Sequence, residues 1–503
     1  NNSYSGGKVS KKVIVIGAGP GGLSSAMILA SKGIDVTVYE QKSYPGGRNG
    51  FISRNGFTFD IGPTFLMMLN ILEDVFKMSG KELTDHVKIT ELEPMYRLSF
   101  DGGKKEFFPS RDHEKMKSEI EKFSPGSFEG YKKYLKDEAR KYRKIFPILR
   151  KPFNSVTDLL DWELLSSGPS ATPLKTLSDV IGSYYKDEYM QKAFTFQGKY
   201  IGMSPWEAPG LFSILSYVEH GGGIFHVEGG LNKISQAMTN IVQESGGKIH
   251  FNTKVSEIIV EDGTAKGVLL ENGTIDRSDF VIINADFAHA MTHLVEERHR
   301  KKYNDRKIAS LEYSCSGFLM YLGVDGIFDD LPHHNILFAD DYRNNIDDIV
   351  KRKVISDDLS IYVQNASVVD KTVAPNGKST LFVLVFMPNN TSGIDWEKEK
   401  GPLREKVLDK LENQGFQGLR QKIEEEVIIT PTDWEKDYSV YNGAIFNISH
   451  KLKYMLYFRP HNKFEDIGSC YLVGGGTHPG SGLPTIYESG RISAELILKE
   501  CGL

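Results

Sequence analysis

Gly17, Gly19, Gly22 and Glu40 carry the first chemical signal in this chain. The glycines stand in KKVIVIGAGPGG, and Glu40 closes VTVYE 18 residues after Gly22. Gly17 permits a tight turn, Gly19 lets backbone approach a pyrophosphate, and Gly22 lets a helix pack closely on the strand before it. Amides opening that helix then face phosphate oxygens, while a carboxylate at Glu40 accepts from ribose hydroxyls. That carboxylate would repel a 2′-phosphate, which disfavours NADP and leaves FAD or NAD.

Two further constellations narrow the choice. Gly46-Gly47-Arg48 and Phe59-Asp60-Ile61-Gly62-Pro63-Thr64 follow soon after the acid. Adjacent glycines admit a bulky ligand, and Arg48 can sit near phosphate or flavin, so FAD is favoured. At the other end of the chain, Gly474-Gly475-Gly476 leads into Thr477-His478-Pro479-Gly480-Ser481-Gly482-Leu483-Pro484.

These residues need elements to hold them. Val13 to Ile16 is a continuous apolar run suited to a doubly buried strand, a helix follows it, and Val36 to Tyr39 supplies the next strand. A second block has helical spacing at Leu231, Ile234, Ala237, Met238, Ile241 and Val242. Strands follow over Val255 to Val260 and Gly267 to Leu270 around the Asp262-Gly263 turn, then over Phe280 to Asn284. On pattern alone, those strands could also be a free-standing meander. The third block is a short strand from Cys470 to Val473 and a helix from Tyr487 to Leu498. Three separated blocks of one kind predict interleaved domains rather than domains strung in series.

Composition excludes several classes. The chain has 503 residues, 40% of them hydrophobic, which suffices for two to three domains with real cores. Its 61 basic and 66 acidic residues leave a net charge of −5, with no electrostatic footprint for nucleic acid. Cys315, Cys470 and Cys501 lie far apart, so a reducing compartment is expected, without disulfides or metal-ligand spacing. Neither a signal peptide nor an 18-residue apolar span is expected. The polar start NNSYSGGKVS is read as a processed or added tail and set aside.

The glycine, Arg48 and Phe59–Thr64 phrases resemble the flavin-dependent amine oxidase and phytoene desaturase superfamily. The segment Thr477 to Pro484 resembles the carboxyl-terminal signature of bacterial-type phytoene desaturases. Tyr313-Ser314-Cys315-Ser316-Gly317-Phe318-Leu319-Met320-Tyr321, Ser392-Gly393-Ile394-Asp395-Trp396 and Phe57-Thr58-Phe59-Asp60 are similar to the thirty-carbon branch, the 4,4′-diapophytoene (dehydrosqualene) desaturases. Glu228-Gly229-Gly230 and Asn442-Gly443-Ala444-Ile445 also resemble sister carotenoid oxygenases that make terminal aldehydes. The likeness spans the chain after residue 10.

That resemblance implies an α/β fold. A Rossmann-like FAD-binding domain of the glutathione reductase/amine oxidase type would comprise residues 11–95, 225–300 and 465–503. It would interleave with an α+β substrate domain over 301–464 and a helical membrane-associating region over 96–224. The implied cofactor contacts are Gly17, Gly19, Gly22, Glu40, Gly47, Arg48, Pro63, Thr64, Val255, Gly475, Gly476, Gly482, Leu483 and Pro484. Backbone at Val255 would meet the adenine, and helix amides near Pro484 would meet the flavin pyrimidine.

The implied chemistry is FAD-dependent desaturation of a thirty-carbon carotenoid precursor, a long isoprenoid hydrocarbon, from 4,4′-diapophytoene to diaponeurosporene or on to diapolycopene, by hydride transfer to flavin, with oxygen or a quinone as reoxidant and no metal. A forty-carbon phytoene, terminal oxidation and a non-enzymatic prenyl-binding role akin to the GDP-dissociation inhibitors remain alternatives. A soluble NAD dehydrogenase fits the carboxyl-terminal signature least. Moving a thirty-carbon chain through water costs ~0.8 kcal/mol per methylene, on the order of 20 kcal/mol in all, so a peripheral position on the inner face of the cell membrane is expected. The basic, aromatic stretch 131–153 is a candidate membrane contact or an amphipathic helix covering the core. His478 is read as structural or flavin-positioning before catalytic. Glu219 and His220 are polar groups near a domain crossing, equally read as a surface turn. No catalytic residue and no oligomeric state is assigned.

Overall fold

A computed structural model describes residues 11–503; the amino-terminal stretch set aside above lies outside the described residues. A five-stranded parallel sheet runs in the order Cys470–Leu472, Phe280–Ile283, Lys12–Ile16, Asp35–Tyr39 and Lys248–His250. Register pairs Val13 with Phe280, Lys12 with Asp35, Thr37 with Lys248, and Val281 with Cys470. Strands from both ends of the chain and its middle therefore share one sheet. Its inner strands are apolar on both faces because both are covered: the helices Pro20–Ser31, Asn232–Glu244 and Leu483–Glu500 pack on one, and the helix Phe287–Leu294 with a small antiparallel sheet packs on the other.

The two terminal helices touch directly. A side chain at Gly490 would run into the Gly21 carbonyl, and Ser25 Oγ donates to the Gly490 carbonyl at 2.7 Å. Small residues on both helices allow that approach.

The strands after residue 254 form a small antiparallel sheet of their own, Val255–Glu261, Thr264–Leu270 and Ile275–Arg277. Asp262 and Gly263 both have positive φ, +48° and +71°, as a two-residue hairpin with the native twist requires. The sheet is a meander, but it is not free-standing: Ile258, Ala265 and Val268 share a core with Ile14, Ile16 and Val281 of the parallel sheet.

A third, seven-stranded sheet draws its strands from residues 97–107 and 316–429. Its order is Ile423–Ile429, Ser316–Asp325, Lys378–Met387, Ile361–Asn365, His334–Leu337, Arg97–Phe100 and Lys105–Phe107. The last two strands lie where a helical region was expected from residue 96. Leu98, Phe100 and Phe107 are fully buried in the same core as the helices that follow, which explains why this edge belongs to the sheet.

The helix Phe128–Leu149 contains most of the basic stretch, and its apolar stripe turns inward. Tyr131, Tyr134, Ile145 and Ile148 are buried, and Glu138 pairs with Lys141 beneath the surface at 2.8 Å. This is the core-covering amphipathic helix. Exposed apolar side chains appear just after it instead, at Val156, Leu160, Trp162, Leu165 and Leu174. Among the described residues, no helix is long and apolar enough to cross a membrane, and Cys315, Cys470 and Cys501 are free thiols.

Candidate functional site

A single cavity of about 460 Å³ is lined by Gly17, Gly19, Glu40, Gly47, Arg48, Pro63, Thr64, Val255, Gly475, Gly482, Leu483 and Pro484. Twelve of the fourteen expected contacts thus meet in one place. Gly22 and Gly476 do not face it. A Cβ at Gly22 would lie 2.6 Å from the Gly17 carbonyl, and one at Gly476 would strike Phe287 and Asn447. Both glycines permit close packing behind the wall.

The nucleotide end is made largely of backbone. Gly17 has φ +94°, and a side chain there would strike the Asn284 carbonyl. The helix Pro20–Ser31 begins at Gly19 without a side-chain cap, so its first amides remain available to an anion. Glu40 is buried, and its carboxylate accepts from Ala18 N at 2.7 Å and Lys42 N at 2.8 Å. Burial raises its pKa while those amides oppose the rise. Glu40 therefore both ties the turn to the second strand and borders the space beside it. Asn284, at the end of the strand Phe280–Ile283, donates to the Gly17 carbonyl at 2.8 Å and packs against Gly19 and Gly22. Nothing in the spacing of the glycine motif announced this residue.

Farther in, Gly46 and Gly47 both have positive φ, and the turn they make presents Arg48. Arg48 donates to the Ile445 carbonyl at 2.7 Å and lies 3.9 Å from Asp286. Burial lowers its pKa and Asp286 opposes that shift. Gly62 packs on the Arg48 carbonyl and brings Pro63 and Thr64 to the wall. Across the cavity stands the helix Leu483–Glu500, which starts at Gly482 with φ +122°. The helix thus begins four residues before Tyr487, where apolar spacing had suggested it. Pro484 is accommodated because the first turn needs no amide donor there.

The carboxyl-terminal loop hangs on a buried cation. Arg459 donates to the carbonyls of Ile448, Ser449, Tyr454, Gly475 and Thr477. Burial without a carboxylate partner lowers its pKa to about 9. His478 contacts the Leu149 carbonyl at 3.1 Å and is also buried, with its pKa lowered to about 4. It ties the loop to the helix Phe128–Leu149 and does not line the cavity, as its structural reading required.

Beyond the loop the wall becomes hydrocarbon and aromatic: Leu319, Ile336, Phe382, Leu384, Phe386, Phe196 and Phe446. Lys199, Tyr200 and Tyr362 bring polar atoms to it; Lys199 is a buried amine over the Tyr342 ring at 4.7 Å, whose pKa burial lowers to about 7. Glu219 and His220 lie behind this wall in the helix Ile214–Gly222, so they form neither a surface turn nor the cavity lining. Glu219 accepts from Tyr96 at 3.0 Å and Gln197 at 2.9 Å, and burial raises its pKa to about 7. Burial likewise depresses His220 to about 3, and its ring stacks on Phe194 at 4.7 Å. Lys199 and Tyr362 were missed because a single buried polar residue in an apolar stretch has no spacing to betray it.

The arrangement fits FAD. Uncapped amides and glycine backbone suit the pyrophosphate, Glu40 suits a ribose, and the wall between Arg48 and the Gly482 helix start suits a flat ring whose reduced form is stabilised by helix amides. Fold and site together define an FAD-dependent oxidoreductase with an apolar substrate chamber. The chain belongs to the flavin containing amine oxidoreductase family, whose model matches residues 20–498. It is 48% identical over 97% of its length to the 4,4′-diapophytoene desaturase (4,4′-diapolycopene-forming) of Methylomonas sp, covering 95% of that protein. It is 35% identical over 99% of its length to the all-trans-zeta-carotene desaturase of Myxococcus xanthus, again covering 95%. Its fold is similar to that of an oxidoreductase from Methanosarcina mazei, with TM-score 0.64 and 20% identity over 97% of this chain and all of the other.

Proposed function

We propose that this enzyme desaturates a thirty-carbon carotenoid precursor, 4,4′-diapophytoene, toward diaponeurosporene and diapolycopene. The carrying observation is that one cavity joins the nucleotide cradle to a hydrocarbon-lined chamber. The Methylomonas relative, which acts on that substrate, supports the choice of ligand. FAD, when bound, supplies the two-electron oxidant that accepts a hydride. The chain holds it through Gly17, Gly19, Glu40, Gly47, Arg48, Pro63, Thr64, Val255, Gly475, Gly482, Leu483 and Pro484. Leu319, Phe382, Leu384 and Phe386 exclude water and align an extended polyene so that successive allylic carbons reach the same point.

Substrate delivery follows from solubility. A hydrocarbon of this size resides in a bilayer, so the enzyme collects it there. Trp162 is 80% exposed and Leu174 is 99% exposed, with Val156, Leu160 and Leu165 nearby in sequence. Each such side chain gains ~1.5–3 kcal/mol when fully withdrawn from water, and the exposed Lys144 and Lys175 lie in the same stretch of chain to meet anionic headgroups. The protein is therefore read as peripheral to the inner face of the cell membrane, with oxygen or a membrane quinone reoxidising the flavin.

Coexpression with a source of diapophytoene tests the reaction. The expected product is a yellow, more conjugated hydrocarbon. An oxygenated product formed only from already coloured substrate would overturn desaturation in favour of terminal oxidation.

A further inference from the structure

Strand register lays four side chains in a row across the chamber floor. Ile336 faces Tyr362, Tyr362 faces Leu384, and Leu384 faces Leu319. All four line the cavity. Three are hydrocarbon and one carries a hydroxyl.

That hydroxyl is wired on both sides. Tyr362 Oη lies 2.7 Å from Thr64 Oγ1 and 2.7 Å from His334 Nδ1. Thr64 belongs to the cofactor wall, so the phenol stands at the seam between cofactor and substrate spaces. Phe65, the next residue, stacks on the His334 ring at 4.0 Å and 10°, which fixes the imidazole plane. His334 is completely buried, and its Nε2 has no protein partner among the described residues. His333 follows at 4.5 Å between ring centroids, and His226 stands 4.7 Å beyond His333. The run ends where His226 Nε2 meets Asp370 Oδ2 at 2.8 Å, an oxygen that also accepts from Gly229 N at 2.7 Å. Although burial raises the Asp370 pKa, these partners and Thr372 hold it well below the usual carboxylate range. Burial keeps His333 and His334 neutral and disfavours their charged forms, so a proton taken by Nδ1 of His334 is held only briefly.

We propose that Tyr362 takes the proton released in each desaturation while passing its own hydroxyl proton to Nδ1 of His334. This rests on the desaturase reading. Making one double bond removes two hydrogens from adjacent carbons. The first leaves as a hydride, with both electrons of its C–H bond, to FAD as the oxidant. The second leaves as a proton to Tyr362 Oη, and the electrons of its broken C–H bond become the new π bond. As the new O–H bond forms, the old one breaks and an N–H bond forms on His334. A proton beside an allylic cation is strongly acidic, so a weak neutral acceptor suffices, and the low basicity of the buried imidazole makes it give the proton up readily. Tyr362 is the catalytic residue, and His334, which does not line the cavity, acts through it by accepting the hydroxyl proton.

The test uses flavin-loaded enzyme with diapophytoene in phospholipid vesicles. Tyr362→Phe is expected to lower turnover by roughly 10²–10⁴-fold, the usual range for a lost general base, with flavin content and KM unchanged. The wild-type solvent deuterium isotope effect is expected to vanish in that variant, because its only exchangeable proton in flight is gone. His334→Gln should cut turnover by about tenfold or more, since an amide cannot store the proton. Independently of turnover, ¹⁵N NMR of labelled histidine should show His334 Nδ1 unprotonated and Nε2 protonated, with Tyr362→Phe shifting that tautomer balance. A protonated Nδ1, or near wild-type turnover of Tyr362→Phe with its isotope effect intact, overturns the proposal. So does lost turnover in Lys199→Met alongside a competent Tyr362→Phe. If Tyr362→Phe fails to retain flavin, His334→Gln and the wild-type tautomer decide. A wild-type enzyme that makes no coloured hydrocarbon defeats the desaturase reading instead.

Discussion

Gly17, Gly19 and Gly47 build the nucleotide end of the cavity from backbone, whereas Leu319, Tyr362, Phe382 and Leu384 build the far end from side chains on three strands. Backbone sites need conformations that few residues can adopt, so they leave short motifs. A side-chain floor needs only shape and exclusion of water, which many sequences provide. The cofactor end should therefore break at single glycines, while the substrate end should tolerate change everywhere except at its few polar groups.

The sharpest break is expected at Gly17→Val. Its φ of +94° is strained for a branched side chain, and the new atoms meet the Asn284 carbonyl. A loss of at least ~3 kcal/mol in denaturant unfolding, with no flavin in the purified protein, is the expected outcome. At the floor, Leu384→Met should cost less than about 1.5 kcal/mol and leave flavin content alone. Equal damage from both substitutions would erase the distinction.

Arg459→Met probes the loop that joins the two ends. Five carbonyls lose their donor, each costing ~1–3 kcal/mol if left dry, so both thermal stability and flavin retention should fall. Unchanged flavin retention would mean that the loop holds its shape without the cation.

Glu219 sharpens the contrast through pH. Its pKa rises from 4.5 to about 7 on folding, so the folded state binds more protons across that window. Stability from this group is fully present below pH 4.5 and declines as pH rises through 7, by up to about 3 kcal/mol. Glu219→Gln should flatten this slope in denaturation measured at pH 5 and pH 8; an unchanged slope would place the titrating group elsewhere.

The smallest stability effect belongs to the exposed apolar surface. Trp162→Glu should move unfolding by no more than about 0.5 kcal/mol yet weaken sedimentation with anionic vesicles. Vesicle binding equal to wild type would remove this segment from the docking surface.

Glu40→Arg separates local from tertiary roles of the acid. Ala18 N and Lys42 N lose their acceptor, and the proposed ribose acceptor goes with it, so flavin retention should drop. Flavin occupancy equal to wild type would show that the acid does not serve the ribose.

By itself the sequence determined the glycine turn, the acid at the second strand, the flavin class and the carboxyl-terminal loop. The turn and the acid follow from φ, strand alternation and helix spacing within one strand–helix–strand unit, while the flavin class and the loop were legible through short phrases that resemble a known family. Tertiary structure decided that Asn284 fills the hollow left by Gly17, Gly19 and Gly22, and that Gly476 packs behind the wall. It also turned the stripe of Phe128–Leu149 inward and set Tyr362 between Ile336 and Leu384. Those outcomes depend on register between strands far apart in the chain and on which face of an amphipathic helix finds a partner, and neither is encoded at short range.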